Sequence, residues 1–328
     1  MSAVATPVAP HRTGFFHTLR GIPILGPVAA LVLACIFFAT QSGRFLSGAN
    51  FSLILQQVMV VGTLGIGQTL VILTGGIDLS NGMIMALSSI LMTGLFANAG
   101  VNPYLAVLIG LAVCVAFGVL NGWLTTAIGL PPFIVTLGTF NIAYALVRIY
   151  TTATVTNVPP ALLFFGNTFK IGSTEITYGT VVMLILFIIG WYVLRSTPAG
   201  RSIYAVGDNP EAARLAGIHT SRVLTAVYTV AALSYGVAGL LLVGRTGVGD
   251  PNAGQNGNLD SITAVVLGGT SLLGGRGDMM GTLVGALIVG VFRNGLQLMG
   301  VGANPQVLIT GVLVILAASV DYLSHRNK

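Results

Sequence analysis

Long apolar stretches separated by short polar breaks run through most of the chain. Each approaches the roughly 20 apolar residues that a membrane-spanning helix needs. Two stretches, 81–98 and 261–275, are short or glycine-rich, and either is also compatible with a re-entrant segment. The pattern predicts an all-α polytopic membrane protein of about ten spans, at residues 22–41, 50–73, 81–98, 104–128, 132–150, 176–195, 222–244, 261–275, 279–299 and 305–323.

The composition supports a membrane protein and argues against a soluble one. Hydrophobic residues make up 54% of the chain and charged residues 7%, whereas a soluble domain carries about 25% charged residues. The formal charge of +6 does not come from any basic run, so we expect no nucleic-acid partner. Cys35 and Cys114 both lie in apolar stretches and indicate no disulfide framework.

The distribution of basic residues predicts the orientation. With ten spans, one set of loops and both termini hold nine basic residues, and the opposite loops hold three. Basic residues concentrate on the cytoplasmic side of membrane proteins, so both termini are predicted to be cytoplasmic. Residues 1–20 are expected to be a disordered cytoplasmic segment, and residues 21–328 a single transmembrane domain.

Two short similar segments suggest an internal repeat. Residues 75–80 read GGIDLS after the second span, and residues 257–261 read GNLDS after the seventh. The topology places them on opposite sides, as an inverted repeat of spans 2–5 and 7–10 requires. Chance similarity is an equally good explanation of so short a match. The GxxxG pairs at 118–122 and 281–285 favour tight packing of helices within one bundle over a dedicated dimer face.

The sequence lacks the residues of a nucleotide-hydrolysing or catalytic centre. A phosphate-binding loop needs a lysine after its glycines, but Lys170 and Lys328 are the only lysines. The four histidines lie outside the predicted spans, and no metal site is expected. Asp78 is the best candidate for a carboxylate inside the membrane, because Glu175, Asp208, Glu211, Asp250, Asp278 and Asp321 fall in loops or at span ends. Ion-coupled transport therefore has weak support.

The loop at residues 196–221 contains a complete set of helix signals. Asp208 or Asn209 suits the N-cap, Pro210 the first helical position, and Gly217 the C-terminal left-handed position. A helix of about two turns over 208–217 is predicted, with a small apolar face. So short a helix needs a surface to lie against. That surface is its own bundle, the lipid headgroups, or a groove on a partner protein.

At this loop the chain resembles the bacterial ABC sugar permeases of the ribose, xylose and fructose type, and it is nearest to the fructose type. The similarity covers residue 50 to the C-terminus in matching order. The segments that carry it are 200–218, 69–80 (TLVILTGGIDLS), 131–138 (PPFIVTLG), and 264–271 (AVVLGGTS) with 274–277 (GGRG).

The resemblance implies a transport machine rather than an enzyme. Two permease chains, expected to be a homodimer, form the pore in the bacterial inner membrane. A cytoplasmic ATPase carries the ATP and magnesium, and a periplasmic or lipid-anchored binding protein delivers the sugar. The resemblance makes helix 208–217 the coupling helix, and the residues expected to transmit the ATPase motion are Arg201, Gly207, Asp208, Asn209, Glu211, Ala212, Ala213 and Gly217.

A sugar path needs polar side chains that exchange hydrogen bonds with hydroxyl groups. The candidates within or beside the spans are Gln56, Gln57, Gln68, Asp78, Ser80, Asn81, Thr136, Thr139 and Asn141. The alternative for each residue is a hydrogen bond between helices, worth about 0.6 kcal/mol. At position 81 this family commonly has valine. Asn81 therefore either alters substrate preference or faces a neighbouring span.

Three other functions compete with monosaccharide import. The first is the same machine with a branched-chain amino acid or a small signalling sugar as its cargo, and uptake competition separates these cargoes. A secondary transporter predicts uptake without any ATPase. A membrane enzyme or scaffold predicts a buried catalytic cluster, which the sequence does not indicate.

Overall fold

Helices form most of the structure, a computed structural model that describes residues 24–326. The prediction for residues 1–20 lies outside the described residues. The long and medium helices are α1 Leu25–Gln41, α2 Gly48–Leu73, α3 Asn81–Ala99, α4 Pro103–Trp123, α5 Pro132–Tyr150, α7 Tyr178–Ser196, α8 Pro198–Asp208, α10 Thr220–Thr246, α11 Gly257–Leu267, α12 Met279–Leu298 and α13 Ala303–Arg326. The short elements are a π-helical turn Leu124–Ile128, helix α6 Pro160–Leu163, strands β1 Thr168–Ile171 and β2 Thr174–Thr177, and helix α9 Pro210–Leu215.

Within residues 24–326, seven helices are long and apolar enough to cross a membrane: α2, α3, α4 with its π-helical turn, α5, α7, α10 and α12. Three shorter apolar helices accompany them: α1, α11 and the stretch Ala303–Leu316 of α13. The polytopic all-α fold is therefore confirmed. The segment predicted at 81–98 is a 19-residue helix, long enough to span.

Local sequence signals set the helix ends. Ser47, Asn102, Thr177 and Asp278 each accept a hydrogen bond from a backbone N–H in the first turn of the helix that follows. Such caps satisfy donors that have no partner inside the helix. Gly100 and Gly247 end α3 and α10 in the left-handed conformation, which glycine adopts without strain.

Helix α2 forms the centre of the bundle. Every residue from Gln57 to Leu73 is buried, and α2 packs against α7, α10, α11 and α12. Helices α4, α5 and α7, by contrast, leave much of their apolar surface exposed. A helix that is apolar and covered all round belongs to the core, whereas apolar exposure in this class of protein suits lipid or another chain.

The two ends of the bundle can be identified from contacts. The β1–β2 hairpin lies beside the start of α2, where the Glu175 amide donates to Ser52 Oγ at 2.7 Å. We call this the hairpin end. At the opposite end, the α8 end, Gly275 N donates to Leu73 O at 2.9 Å and Gly207 packs against the same carbonyl.

The packing of the helices agrees with the predicted inverted repeat. Helix α2 contacts α11 and α12 as α10 contacts α3 and α4, and the α3–α4 and α3–α5 contacts correspond to α11–α12 and α11–α13. Helix α2 ends at the α8 end, while α10 ends at the hairpin end, so the two sets run in opposite directions. The short sequence match does not mark equivalent positions, because Asp78 precedes α3 and Asp260 lies inside α11.

The span predicted at 261–275 is wrong as a continuous helix. Helix α11 has 11 residues, which rise about 16 Å, against a hydrocarbon core about 30 Å thick. Turns that include the left-handed glycines Gly269, Gly274 and Gly275 follow it. Residues 249–275 nevertheless run from the hairpin end of the bundle to the α8 end. Gly249 packs on Thr93 near the end of α3, and Gly275 donates to Leu73 O at the end of α2. The helices on either side of this segment therefore cross the bundle in the directions that the ten-span prediction gave them.

Glycines allow several helices to touch through their backbones. Gly281 and Gly285 of α12 face the carbonyl oxygens of Gly268 and Ala264, the latter in α11. Gly118 of α4 faces the backbone of α10 in the same way. Both GxxxG pairs therefore serve packing within the chain, as the sequence favoured.

Candidate transport path and docking helices

A buried polar chain joins the turn before α3 to helices α4 and α5. Asp78 Oδ1 accepts hydrogen bonds from the Ser80 amide at 2.8 Å and the Ser80 hydroxyl at 2.5 Å. Asn121 Nδ2 donates to Ser80 Oγ at 3.2 Å, and Thr139 Oγ1 donates to Asn121 Oδ1 at 2.8 Å. All four side chains are almost fully buried. The path residues predicted from the sequence did not include Asn121, although an amide within an apolar span was the available signal.

Asn81 connects the two halves of the molecule. Its Nδ2 donates to Gln68 Oε1 and to Ser261 Oγ, each at 2.8 Å. Gln68 belongs to α2 and Ser261 to α11, and all three side chains are 0% exposed. Of the two interpretations of Asn81, the structure shows the contact with neighbouring helices.

Backbone contacts close the same level of the bundle. A Cβ on Gly82 would overlap the carbonyl oxygen of Gly254, so α3 and the turn before α11 touch directly. The Leu79 amide donates to Thr136 Oγ1 at 3.1 Å, which ties the start of α3 to α5. We call this layer, formed around Asn81, Ser261, Gly82 and Gly254, the central layer.

Six of the predicted path residues lie in or next to the central layer: Gln68, Asp78, Ser80, Asn81, Thr136 and Thr139. Their side chains are buried. Hydrogen bonds between segments of the chain involve Gln68, Ser80, Asn81, Thr136 and Thr139, whereas Asp78 accepts from Ser80 in its own turn. In the present structure they pack the bundle, and a role in the path stays a prediction for them. Gln56 is half-buried, and Asn141 is exposed and donates to Leu137 O of its own helix at 2.9 Å.

A cavity of about 500 Å³ lies towards the hairpin end, between α2, α11, α12 and α13. Gln57 is the predicted path residue that lines it. Its polar wall also includes residues that the sequence prediction omitted: Arg245, Asp260, Arg293 and Gln297.

An ion pair lies in the wall of this cavity. Arg293 Nη1 is 3.2 Å from Asp260 Oδ2, and the Asp260 side chain is 9% exposed. Asp260 was not among the carboxylates that the sequence analysis placed in loops or at span ends, and its position inside α11 was missed. The pair joins residues 33 positions apart on two helices, and the sequence contained no local signal for it.

The segment after α7 forms two helices instead of the single predicted one. Thr197 caps α8, and Pro198 occupies its first position. Asn209, not Asp208, caps α9 by accepting from the Ala212 amide at 3.0 Å, and Pro210 begins the helix. Helix α9 has six residues, so the prediction of one helix over 208–217 is wrong in its bounds. Gly217 has φ +87°, as predicted for the C-terminal position.

Helix α8 is fixed to the body of the bundle. Ile203 and Val206 are buried, and Gly207 lies against the end of α2. The Tyr204 hydroxyl donates to Gly277 O at 2.9 Å. Burial, and then the negative charge of Asp278, raise the pKa of the Tyr204 phenol above its ordinary value. This hydroxyl therefore acts as a hydrogen-bond donor at physiological pH.

Helix α9 is exposed on most of its surface. Ala213 is buried against the chain, whereas Leu215 is 84% exposed. Glu211 and Arg214 form an exposed ion pair at 3.0 Å. The other predicted coupling residues, Arg201, Asp208, Asn209, Ala212 and Gly217, are also exposed. One face of the α8–α9 pair is thus anchored, and the other is unoccupied by the described part of this chain.

Comparisons with known proteins identify the family. Residues 50–318 match the family described as branched-chain amino acid transport system / permease component. The chain is 47% identical over 312 residues to the fructose import permease protein FrcC of Rhizobium meliloti, covering 93% of this chain and 87% of that protein.

Ribose permeases are also similar. The ribose import permease protein RbsC of Bacillus subtilis is 40% identical over 302 residues, covering 90% of this chain and 92% of that protein. The Escherichia coli K12 ribose import permease protein RbsC is 38% identical over 299 residues, covering 90% and 92%. The chain therefore belongs to the family of branched-chain amino acid transport system permease components.

Proposed function

We propose that this protein is the membrane-spanning subunit of an ATP-driven importer that carries a monosaccharide across the bacterial inner membrane. The observation that carries the proposal is the α8–α9 pair, which is fixed to the end of α2 on one side and exposed on the other. A partner that pushes on α9 would move α8, and α8 contacts Leu73 at the end of the central helix. The names of the relatives, fructose and ribose import permeases, support the cargo class.

The proposal assigns ATP and magnesium to a separate ATPase that docks on α9. Because that ATPase is cytoplasmic, the α8 end is the cytoplasmic side. The sugar, delivered by a periplasmic or lipid-anchored binding protein, enters from the hairpin end. A second copy of the chain completes the pore, and exposed apolar side chains on α5, among them Phe133, Leu137 and Ile142, suit either that copy or lipid.

Reconstitution tests the proposal. Proteoliposomes that contain the permease, its ATPase and the binding protein are loaded with ATP, and uptake of labelled fructose and ribose is measured. Uptake that needs ATP and all three proteins supports the proposal. Uptake by the permease alone, indifferent to ATP, would overturn it in favour of a secondary transporter. Labelled leucine is tested in parallel, and leucine uptake in place of sugar uptake would correct the cargo.

The Glu211→Arg variant tests the docking role in the same assay. Reversing this charge on the exposed face of α9 is expected to abolish ATP-dependent uptake. Glu175→Arg is the matched control, because Glu175 also forms an exposed ion pair, with Lys170 at 3.5 Å, but at the hairpin end. Equal loss in both variants would show that the effect does not come from α9.

A further inference from the structure

The cavity near the hairpin end combines charged groups that are costly to place inside a membrane protein. Asp260 and Arg293 form the ion pair described above, and Arg245 lines the same wall. Charged residues within the spanning region usually face the bundle interior or a water-filled cavity and mark a pathway for a substrate or ion. The arrangement therefore needs a functional explanation as well as a structural one.

One of the residues that line the cavity has an unused hydrogen-bond acceptor. Gln57 is 9% exposed and lines the cavity. Its Nε2 donates to Gln297 Oε1 at 3.2 Å, while its Oε1 has no hydrogen-bond partner among the described residues. A buried polar atom without a partner costs about 1–3 kcal/mol, and a ligand hydroxyl would satisfy it.

Part of the remaining wall is apolar. Leu259, Val289 and Phe292 contribute to it, and Phe292 is held edge-on by Phe38 at a ring-centroid distance of 5.5 Å. A pyranose or furanose ring presents C–H groups on its faces and hydroxyl groups around its edge. The cavity offers a matching combination of an aromatic side chain, acceptors and guanidinium donors. Its volume, about 500 Å³, is within the range of small-molecule sites.

We propose that this cavity is a monosaccharide-binding site inside the permease, where the sugar is held before it passes the central layer. The inference rests on the proposed function. Asp260 accepts hydrogen bonds from sugar hydroxyls, Gln57 Oε1 accepts another, and Arg293 and Arg245 donate to hydroxyl oxygens. Asp260 adjoins Ser261, which accepts from Asn81 in the central layer. The site therefore lies directly beside the central layer, on the side of the hairpin end.

The Asp260–Arg293 pair suits the hydroxyl groups of a sugar, while the second guanidinium, Arg245, leaves the wall with one positive charge more than negative. An anionic ligand would bring its charge close to the Asp260 carboxylate, which is already paired with Arg293. Hydroxyl groups donate and accept at once, so they can join the pair without separating it. Hydrogen bonds to charged groups are stronger than those between neutral groups, which makes Asp260 the residue expected to contribute most to binding.

Protection of a single cysteine by the sugar tests this site. The experiment uses Thr310→Cys in the full-length permease with Cys35 and Cys114 changed to alanine, since Thr310 lines the cavity on α13. The rate of modification by a small hydrophilic thiol reagent is measured in nanodiscs with and without fructose or ribose. At about ten times the Kd, mass action leaves about a tenth of the sites free, so the rate is expected to fall about tenfold.

Two variants separate binding from general effects. Asp260→Asn is expected to raise the sugar concentration that gives half-maximal protection about tenfold or more. Gln57→Met is a second variant, used in case the first does not fold. Glu175→Gln is the matched control and leaves protection unchanged. The Lys170 side chain on β1 is 74% exposed. Labelling of Lys170→Cys therefore reports any effect of the sugar outside the cavity, and no effect is expected.

The outcomes distinguish this inference from the proposed function. If ATP-dependent uptake works in the wild type but the sugar leaves Thr310→Cys labelling unchanged, this site is wrong while the importer stands. The same conclusion follows if the reagent cannot reach Thr310→Cys at all, because a sugar site must admit a smaller reagent. Protection that survives both Asp260→Asn and Gln57→Met would also overturn the inference. Failure of uptake in the wild type contradicts the importer itself.

Discussion

Asn81 and Ser261 lie 180 positions apart in the chain, and the Asn81 side chain donates to the Ser261 hydroxyl at 2.8 Å. The bond joins α3 of one half to α11 of the other, at the level where Gly82 and Gly254 touch. Directly beside Ser261, Asp260 lines the cavity. Helix α11 therefore contributes to both the central layer and the proposed sugar site, and a movement of α11 changes both.

Replacing Asn81 with valine is expected to destabilise this protein. The change removes two hydrogen bonds and leaves Gln68 and Ser261 without their buried partner, at a cost of about 1–3 kcal/mol. The measurement is the midpoint of thermal unfolding in detergent. The control is Asn141→Val, because Asn141 is exposed and bonds only within its own helix. Equal midpoints for Asn81→Val and the wild type would show that the contact contributes no stability.

Gly285→Val is expected to disrupt the contact between α12 and α11. A Cβ at this position would overlap the Ala264 carbonyl oxygen, and overpacking of this kind typically costs about 1–3 kcal/mol. Size-exclusion profiles and thermal unfolding of the purified variant measure the effect. Gly311→Val in α13 is the control, since a Cβ there meets no atom within 4 Å. A monodisperse Gly285→Val protein with unchanged unfolding would contradict the packing described.

The sequence predicted the helices well where the pattern was strong. The predicted span 132–150 coincides with α5, and Pro210 and Gly217 take the positions that their chemistry favours. Helix α8 was missed because it is short and amphipathic rather than apolar. Its Thr197–Pro198 start has the same cap-then-proline pattern as Asn209–Pro210, so the available signal went unused.

The candidate site was less predictable because it depends on contacts between distant helices. A list of polar residues in apolar stretches contains both Gln57 and Asn81, but nothing local separates a cavity wall from a packed interface. Asp260 and Arg293 come together only when α11 and α12 pack. The interrupted helix at α11 likewise depends on distant contacts. Gly249 contacts α3 at the hairpin end, and Gly275 contacts the end of α2 at the α8 end.

Gly207→Ala is expected to uncouple ATP hydrolysis from transport. A Cβ on Gly207 would overlap the Leu73 carbonyl oxygen, so α8 must move away from the end of α2. In proteoliposomes the sugar transported per ATP hydrolysed should fall, while the ATPase remains bound. Gly138→Ala is the control, because Gly138 is helical with open space around it. Unchanged coupling in Gly207→Ala would show that this contact does not transmit the motion.

Leu215→Asp is expected to weaken binding of the ATPase. Leu215 is 84% exposed in the isolated chain, and a leucine that becomes buried in an interface contributes about 1.5–3 kcal/mol, equivalent to about ten- to hundredfold in Kd. Binding of the ATPase to the permease in nanodiscs is titrated by biolayer interferometry. Ile171→Asp is the matched control, since Ile171 is 60% exposed at the hairpin end. If Leu215→Asp binds the ATPase as tightly as Ile171→Asp does, α9 is not the docking surface, and the ATPase must contact the α8 end elsewhere.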